Sequence, residues 1–465
     1  MDGTRKVVMG GNVTLWARVM RAARSVATLA LAGAALAALA VPGCETVDGI
    51  RRDTGIDRPS AGVKFAAEPN IRVRVMKDLS KVTIGGPGMI VVRPLGGAAA
   101  QGVQGPLQVE ASNLGTSVRN GLGQTKTYPL GTTVELLPSQ MAGQPVAGRA
   151  TAGESMVVGD TAYPGVVQLR PKGSGVPSFD VVMDMPIESY LPGVLEKELF
   201  KDWPRQTFEA QAVAARTYAL FERDRARRDN KPHDVESTDA DQVFGGSARN
   251  TRAIEAVRGT RGQVMSFRGQ LIRAYFSSQC GGRQASAESA WPPKDDRPFN
   301  HVGAVQGKKR EHWCQKSPLY RWEVVRHDDD VNKRLRAYGR ATGADFASLT
   351  RLRAVEVVSR GDSERPEKYR LRDAAGSVYE LSPEELRMGC NHPVPELPPI
   401  TRENRINSGD VEVTVWGSEV RIRGRGFGHG VGMCQYCARG MAEARMDWPT
   451  MLKTFYPGVV IDKAY

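Results

Sequence analysis

An α+β fold, dominated by sheet and with a few helices carrying the functional residues, is what the sequence predicts. Three observations predict it. Fifty Gly and 28 Pro punctuate the 465 residues, and apolar periodic runs long enough for a helical bundle are few. Short runs alternating apolar and polar residues recur from Ile71 onward, the period of a half-buried strand. One stretch, Leu191 to Leu220, breaks that alternation with an Ala-rich helical pattern. No internal repeat of solenoid or propeller period is present.

The N-terminus reads as an export signal over residues 1–43. Arg18, Arg21 and Arg24 precede the apolar run Val26 to Val41, short for a membrane span and suited to the core of a signal peptide. Met9 and Met20 are alternative starts. The run ends in Val41-Pro42-Gly43-Cys44. A small residue before Cys there resembles a bacterial lipobox, which makes Cys44 the lipidation site; an ordinary signal peptide and an uncleaved anchor are the alternatives. No other segment is long and apolar enough to cross a bilayer. Residues 1–43 contain five basic residues and one acid, so their removal lowers the net charge from +13 to about +9. A basic exported chain suits a polyanionic partner such as the cell wall or an anionic membrane surface. Nucleic acid is excluded by the compartment and by the scatter of Arg and Lys, which are not banded with aromatics.

Residues 44–69 are polar and aperiodic, a tether. Residues 70–180 read as a β-rich part, with IRVRVM and MIVVRPL split by Gly85-Gly86-Pro87-Gly88. Residues 181–465 hold the motifs, with a mixed, charged insertion around 328–410. A helix is predicted after Trp203-Pro204, with proline in its first turn. Arg216 sits among Ala210, Ala212, Ala214, Ala215 and Ala219. A guanidinium in such company needs a carboxylate, and Glu188, Glu196, Glu198 and Glu209 are the candidates. Glu198 precedes Leu199, Phe200 and Trp203, an apolar setting that raises a carboxyl pKa toward that of a general acid.

Farther on, Gln263–Phe267, Arg268-Gly269 and Gln270–Ser277 read as a hairpin. Between Gly424 and Gly432 glycine takes every even position. As a strand this would bare one face to a backbone or sugar ring and set Arg425, Phe427, His429, Val431 and Met433 on the other. A phosphate loop is excluded, since no Gly-Lys-Ser/Thr follows. Gln242 offers a donor and an acceptor suited to sugar hydroxyls or N-acetyl groups.

Taken in order, LPGVLEKELFKDWPRQTFEAQAVAARTYAL, DADQVFGG, AVRGTRGQVM, AYFSSQCGGRQAS, GRGFGHGVGMCQYCARGMA and TFYPGVVI resemble the motifs of the SpoIID/LytB family of cell-wall proteins. The resemblance is firm over residues 180–465 and loose over 70–180. It implies a strand-rich SpoIID-like domain whose helices carry an active-site cleft. It further implies a lytic transglycosylase that cuts peptidoglycan glycan strands, or a non-enzymatic glycan binder that enhances a cell-wall amidase. Glu198 would be the acid and base, with Arg216 holding it or binding an acidic sugar substituent. Gln242, Ser277, Ser278, His429 and Gln435 would contact substrate. A serine nucleophile is a poor reading of Ser277 or Ser278, because no G-x-S-x-G elbow is present.

Cys280, Cys314, Cys390, Cys434 and Cys437 remain once Cys44 is assigned to lipid. Some relatives carry a Cys/His zinc loop between the Arg helix and the DQVFGG-like turn; here that interval holds only His233, so that site does not carry over. Cys280, Cys314 and Cys434, with His312 beside Cys314, lie in or near the family motifs. They suit structural zinc, disulfides with one spare thiol, or free thiols. Cys434-x-x-Cys437 also has the spacing of a redox pair, though without a thioredoxin-like βαβ pattern. No cofactor is required for the chemistry expected.

Overall fold

A computed structural model describes residues 62–465 apart from 87, 98–99, 139–154, 174, 239–240, 292–297 and 310–312. The signal-like segment, Cys44 and His312 lie outside the described residues. Mixed sheets and eight helices among the described residues make the fold α+β, and none of those helices is long and apolar enough to cross a membrane.

The alternation in IRVRVM sets the first layer. Ile71 and Val73 are fully buried, while Arg72 and Arg74 point the other way and pair with Asp234 at 2.6 Å and Asp180 at 2.9 Å. This strand, Asn70–Leu79, lies in a seven-stranded sheet next to Phe179–Pro186 and Val235–Glu236. A six-stranded sheet built around Lys81–Ile84 and Leu107–Ser112 shares its core.

Phe179–Pro186 runs straight into helix α1 (Ile187–Glu198). Helix α2 (Arg205–Arg228) begins just after Pro204, which caps it from outside the first turn. Its alanines have a structural reason. Phe208, Ala212, Ala215 and Ala219 face the sheet core, whereas Ala210, Val213 and Ala214 face a second core. A helix buried on two sides accepts close neighbours only through small side chains. Helix α3 (Thr251–Gly259) packs on both α1 and α2.

Met265, Met433, Met451, Phe455 and Tyr456 line the second core. The chain end closes it, because Val460–Lys463 pairs antiparallel with Gln263–Phe267. The one-turn α4 (Ala287–Ala290) follows. Helices α5 (Asp328–Thr342) and α6 (Pro383–Cys390), with the strands between Trp322 and Gly424, build a third core around Leu335, Tyr369, Leu371 and Ile422. Helices α7 (Gln435–Glu443) and α8 (Trp448–Phe455) return to the second core.

Two local expectations are corrected. In the 263–277 hairpin only Gln270–Leu271 pairs with Gln263–Phe267; Phe276–Ser277 instead pairs in parallel with Met433–Cys434. The glycine-alternating segment is not an extended strand. Gly426, Gly428, Gly430 and Gly432 have φ of +76°, +91°, +79° and +69°, a left-handed region that glycine enters without penalty. The alternation thus encodes a winding loop, touching its neighbours through single bridges such as Gln279 with Phe427 and Ala285 with Val431. The expected close backbone approach is present: a Cβ on Gly432 would stand 1.9 Å from the Tyr275 carbonyl oxygen.

Candidate functional site

Glu198 is the last residue of α1 and is part-buried. Leu199 and Trp203 are buried beside it in sequence, and the Phe200, Trp203 and Tyr436 rings pack in series at 5.5 and 4.9 Å. Its carboxylate accepts a hydrogen bond from Gln435 Nε2 at 2.9 Å. Desolvation pushes the Glu198 carboxyl above its ordinary value, and the Gln435 bond offsets only part of that rise. Among the described residues no cation and no second carboxylate contributes to the shift. A rise of this kind moves a carboxyl toward the range in which a general acid works.

Gln435 is thus a positioning residue for Glu198. It is buried as the first residue of α7, and its amide nitrogen also donates to Gln211 Oε1 at 3.4 Å. Gln211, on α2, was not expected at the site. Its own Nε2 is buried with no hydrogen-bond partner among the described residues, as is Ser277 Oγ. Buried polar atoms are rarely left so. The available signal for Gln211 was a polar residue within an alanine run.

Arg216 does have its carboxylate, but the partner is Glu188, not Glu198. The fully buried guanidinium donates to both Glu188 oxygens at 2.9 and 2.8 Å. It also donates to the carbonyls of Gln263 and Val257 at 3.2 and 3.3 Å. Glu188 in turn accepts from the Gly262 N–H at 3.1 Å and from the Tyr465 hydroxyl. The bidentate pair leaves the guanidinium no role in holding Glu198 and none at an acidic sugar. It joins α1, α2, α3 and the chain end.

Gln242 is also committed inside the protein. Tyr190 Oη donates to its oxygen at 3.1 Å, and its nitrogen donates to the Ala215 carbonyl at 3.2 Å. The amide expected to read sugars holds its turn against α1 and α2 instead. The Ser278 carbonyl accepts from the Tyr436 N–H at 3.1 Å, tying the Ser277–Gly282 loop to α7. His429 packs with Tyr275 and Trp291 at 6.0 and 5.0 Å, and its Nδ1 accepts from the Val431 N–H at 3.0 Å. Desolvation pushes its imidazole down to about 4, so the ring is neutral at pH 7.

Cys280, Cys314 and Cys434 are brought together, and Cys437 stands with them. The four buried sulfurs lie within 4.8 Å of one another. The fourth member is therefore a cysteine seen in the sequence as half of a redox-spaced pair. Cys390 lies apart, in the third core.

The model of the family described as Stage II sporulation protein matches residues 177–267. A domain of unknown function, DUF8618, matches residues 284–432. An uncharacterized protein of Brachyspira hyodysenteriae is 31% identical over 283 residues, covering 60% of this chain and 68% of that protein. The amidase enhancer of Bacillus subtilis is 28% identical over 293 residues, 58% of this chain but only 40% of the relative's length. Stage II sporulation protein D of Bacillus amyloliquefaciens is 26% identical over 297 residues, covering 61% of this chain and 76% of the relative.

Proposed function

The chain belongs to the SpoIID/LytB family, and from that premise we propose that it is an exported peptidoglycan lytic transglycosylase. It would cut the β-1,4 bond between N-acetylmuramic acid and N-acetylglucosamine and leave a 1,6-anhydro end. A cell-wall role follows from the family. The finer reading rests on one observation: Glu198 is a desolvated carboxyl with a raised pKa, hydrogen-bonded to Gln435 and, among the described residues, with no second carboxylate contributing to the rise.

Glycosidases that use water generally need two carboxylates. Here one suffices, because the substrate supplies the nucleophile. Protonated Glu198 gives its proton to the leaving glycosidic oxygen as the bond to C1 breaks. The resulting carboxylate then takes the proton from the muramic C6 hydroxyl as its oxygen closes on C1, which restores the acid. Gln435 would keep the carboxyl oriented through both transfers. Phe200, 45% exposed and packed on the buried Trp203, would offer an apolar ring face for a sugar beside it. Export through residues 1–43 and lipidation of Cys44 would hold the enzyme at the envelope, and the mass of the mature N-terminal peptide tests both.

The test is mass spectrometry of glycan strands, with and without stem peptides, after incubation with purified protein. The wild type should release anhydro-muropeptides, and Glu198→Gln should lose at least about 10²–10⁴-fold of that rate with its fold intact. Cleavage at the wild-type rate by folded Glu198→Gln protein would sink the assignment. A second reading, a glycan-binding enhancer of a cell-wall amidase, is favoured by the similarity to the amidase enhancer. It predicts no anhydro product from the protein alone and faster release of stem peptides when an amidase is added.

A further inference from the structure

We propose that Cys280, Cys314, Cys434 and Cys437 form a closed tetrathiolate site for one zinc ion, which fixes the start of α7 and with it Gln435. The site rests on its own geometry and does not depend on the chemistry assigned to Glu198.

The spacing of the sulfurs carries the inference. Cys280 Sγ stands 3.7 Å from Cys314 Sγ and 3.7 Å from Cys437 Sγ, and all four sulfurs lie within 4.8 Å of one another. Zinc bound by four thiolates at about 2.3 Å in a tetrahedron puts sulfurs about 3.8 Å apart along each edge. One sulfur equidistant from two others fits a shared central ion, whereas a disulfide joins sulfurs pairwise at about 2.05 Å. A set this tight leaves no room for a multi-iron cluster between the ligands; among single ions that take four thiolates in a tetrahedron, zinc is the usual structural one.

The surroundings are built for thiolates. Cys434 is the N-cap of α7, and its sulfur accepts the N–H groups of Cys437 and Cys280, both at 3.3 Å. A helix N-terminus and N–H donors favour negative charge on sulfur and orient the ligands. The Cys434-x-x-Cys437 spacing is that of one half of a zinc knuckle. Behind Cys280 the chain turns sharply through Gly281 and Gly282, with φ of +62° and +86°. A Cβ on Gly281 would stand 2.6 Å from the Arg425 carbonyl carbon. All four cysteines are buried, so no position is left open for a catalytic water, the mark of a structural site.

Such an ion ties three distant stretches into one. Cys280 belongs to the Ser277–Gly282 loop, Cys314 to the stretch matched by the domain of unknown function, and Cys434 and Cys437 to the start of α7. Gln435 lies between the last two ligands and reaches Glu198. Ligand exchange at this site therefore changes the position of the amide that holds the carboxyl.

Elemental analysis of the purified full-length protein, produced without added metal and passed over a desalting column, should find about one equivalent of zinc. Titration with an organomercurial should release it as the clustered thiols react. Cys314→Ser should retain less than a tenth of an equivalent, whereas Cys390→Ala should retain it fully. Should Cys314→Ser fail to fold, cobalt(II) substitution of the wild type replaces it, with thiolate-to-metal charge transfer and tetrahedral d–d bands expected. Metal-free, folded protein whose clustered cysteines are all freely alkylated, or whose intact mass shows two disulfides, overturns the proposal. Iron in place of zinc overturns the metal assignment.

Discussion

At the scale of single residues, Glu198 presents a conflict between solvation and charge that its neighbours leave unresolved. Desolvation raises its pKa and only the neutral amide of Gln435 opposes the rise. A carboxyl whose folded pKa exceeds its unfolded value binds its proton more tightly when folded. Its contribution to stability is therefore full below the unfolded value and is lost as pH rises through the folded one. Glu198→Gln removes that loss. The variant should melt above the wild type at pH 7, and the difference should vanish on acidification below about pH 4, where the wild-type carboxyl is neutral as well. Thermal melts of both proteins across that range check it, and a variant melting below the wild type at pH 7 would contradict the burial of an ionisable acid. The desolvated setting of Glu198 was legible in the sequence because Leu199, Phe200 and Trp203 announce an apolar neighbourhood. Gln211 was not, since its part depends on which face of α2 meets α7, and no local pattern encodes that.

At the scale of elements, α2 is a helix with a core on each side and one ion pair through its middle. The sequence required a carboxylate for Arg216 and offered several. Glu188 and Glu198 lie ten residues apart on α1, which sets them about 15 Å apart along the helix and turns them about 80° from each other. The choice is settled by the third and fourth contributors, Gly262 and Tyr465, which a reading confined to the helix does not reach. Arg216→Ala should leave Glu188 buried and unpaired and cost about 3–5 kcal/mol. Denaturant unfolding followed by circular dichroism measures it. Glu188→Gln should fall in the same range, while a loss below about 1 kcal/mol in both would mean that the pair is solvated. The glycine loop was misread for a related reason. Alternation by two is the period of a strand, yet glycine at each second place also permits alternate left-handed residues. Only the partners pressed against it, such as the Tyr275 carbonyl beside Gly432, distinguish the two.

For the molecule as a whole, the question is how the third core, built between Trp322 and Gly424, is joined to the part that bears Glu198. Arg365 supplies one joint, beside Ser363, whose hydroxyl donates to the Gln284 carbonyl at 2.5 Å. Arg365 lies between the strands Leu352–Arg360 and Pro366–Asp373 and is almost fully buried. Its guanidinium leaves that core and donates to the carbonyls of Arg283 and His429 at 3.1 and 3.2 Å. Gly430 has no side chain because the guanidinium occupies the space: a Cβ there would stand 2.6 Å from Nη1. One residue of the third core thus clamps both the glycine loop and the segment after Cys280. No short-range pattern foretells a clamp between segments this far apart, and position 365 falls within the mixed, charged insertion read over 328–410. Arg365→Ala should leave buried carbonyls unmet and cost about 3 kcal/mol. It should also lower the glycan cleavage proposed for Glu198, since Ala285 and Gln279 bridge to the loop that it holds. Trp416→Ala, at an 82% exposed position on the far hairpin of the same core, should stay within about 0.5 kcal/mol and keep full activity. Equal stability and activity for the two variants would show that the third core is merely attached, and that the site keeps its shape without it.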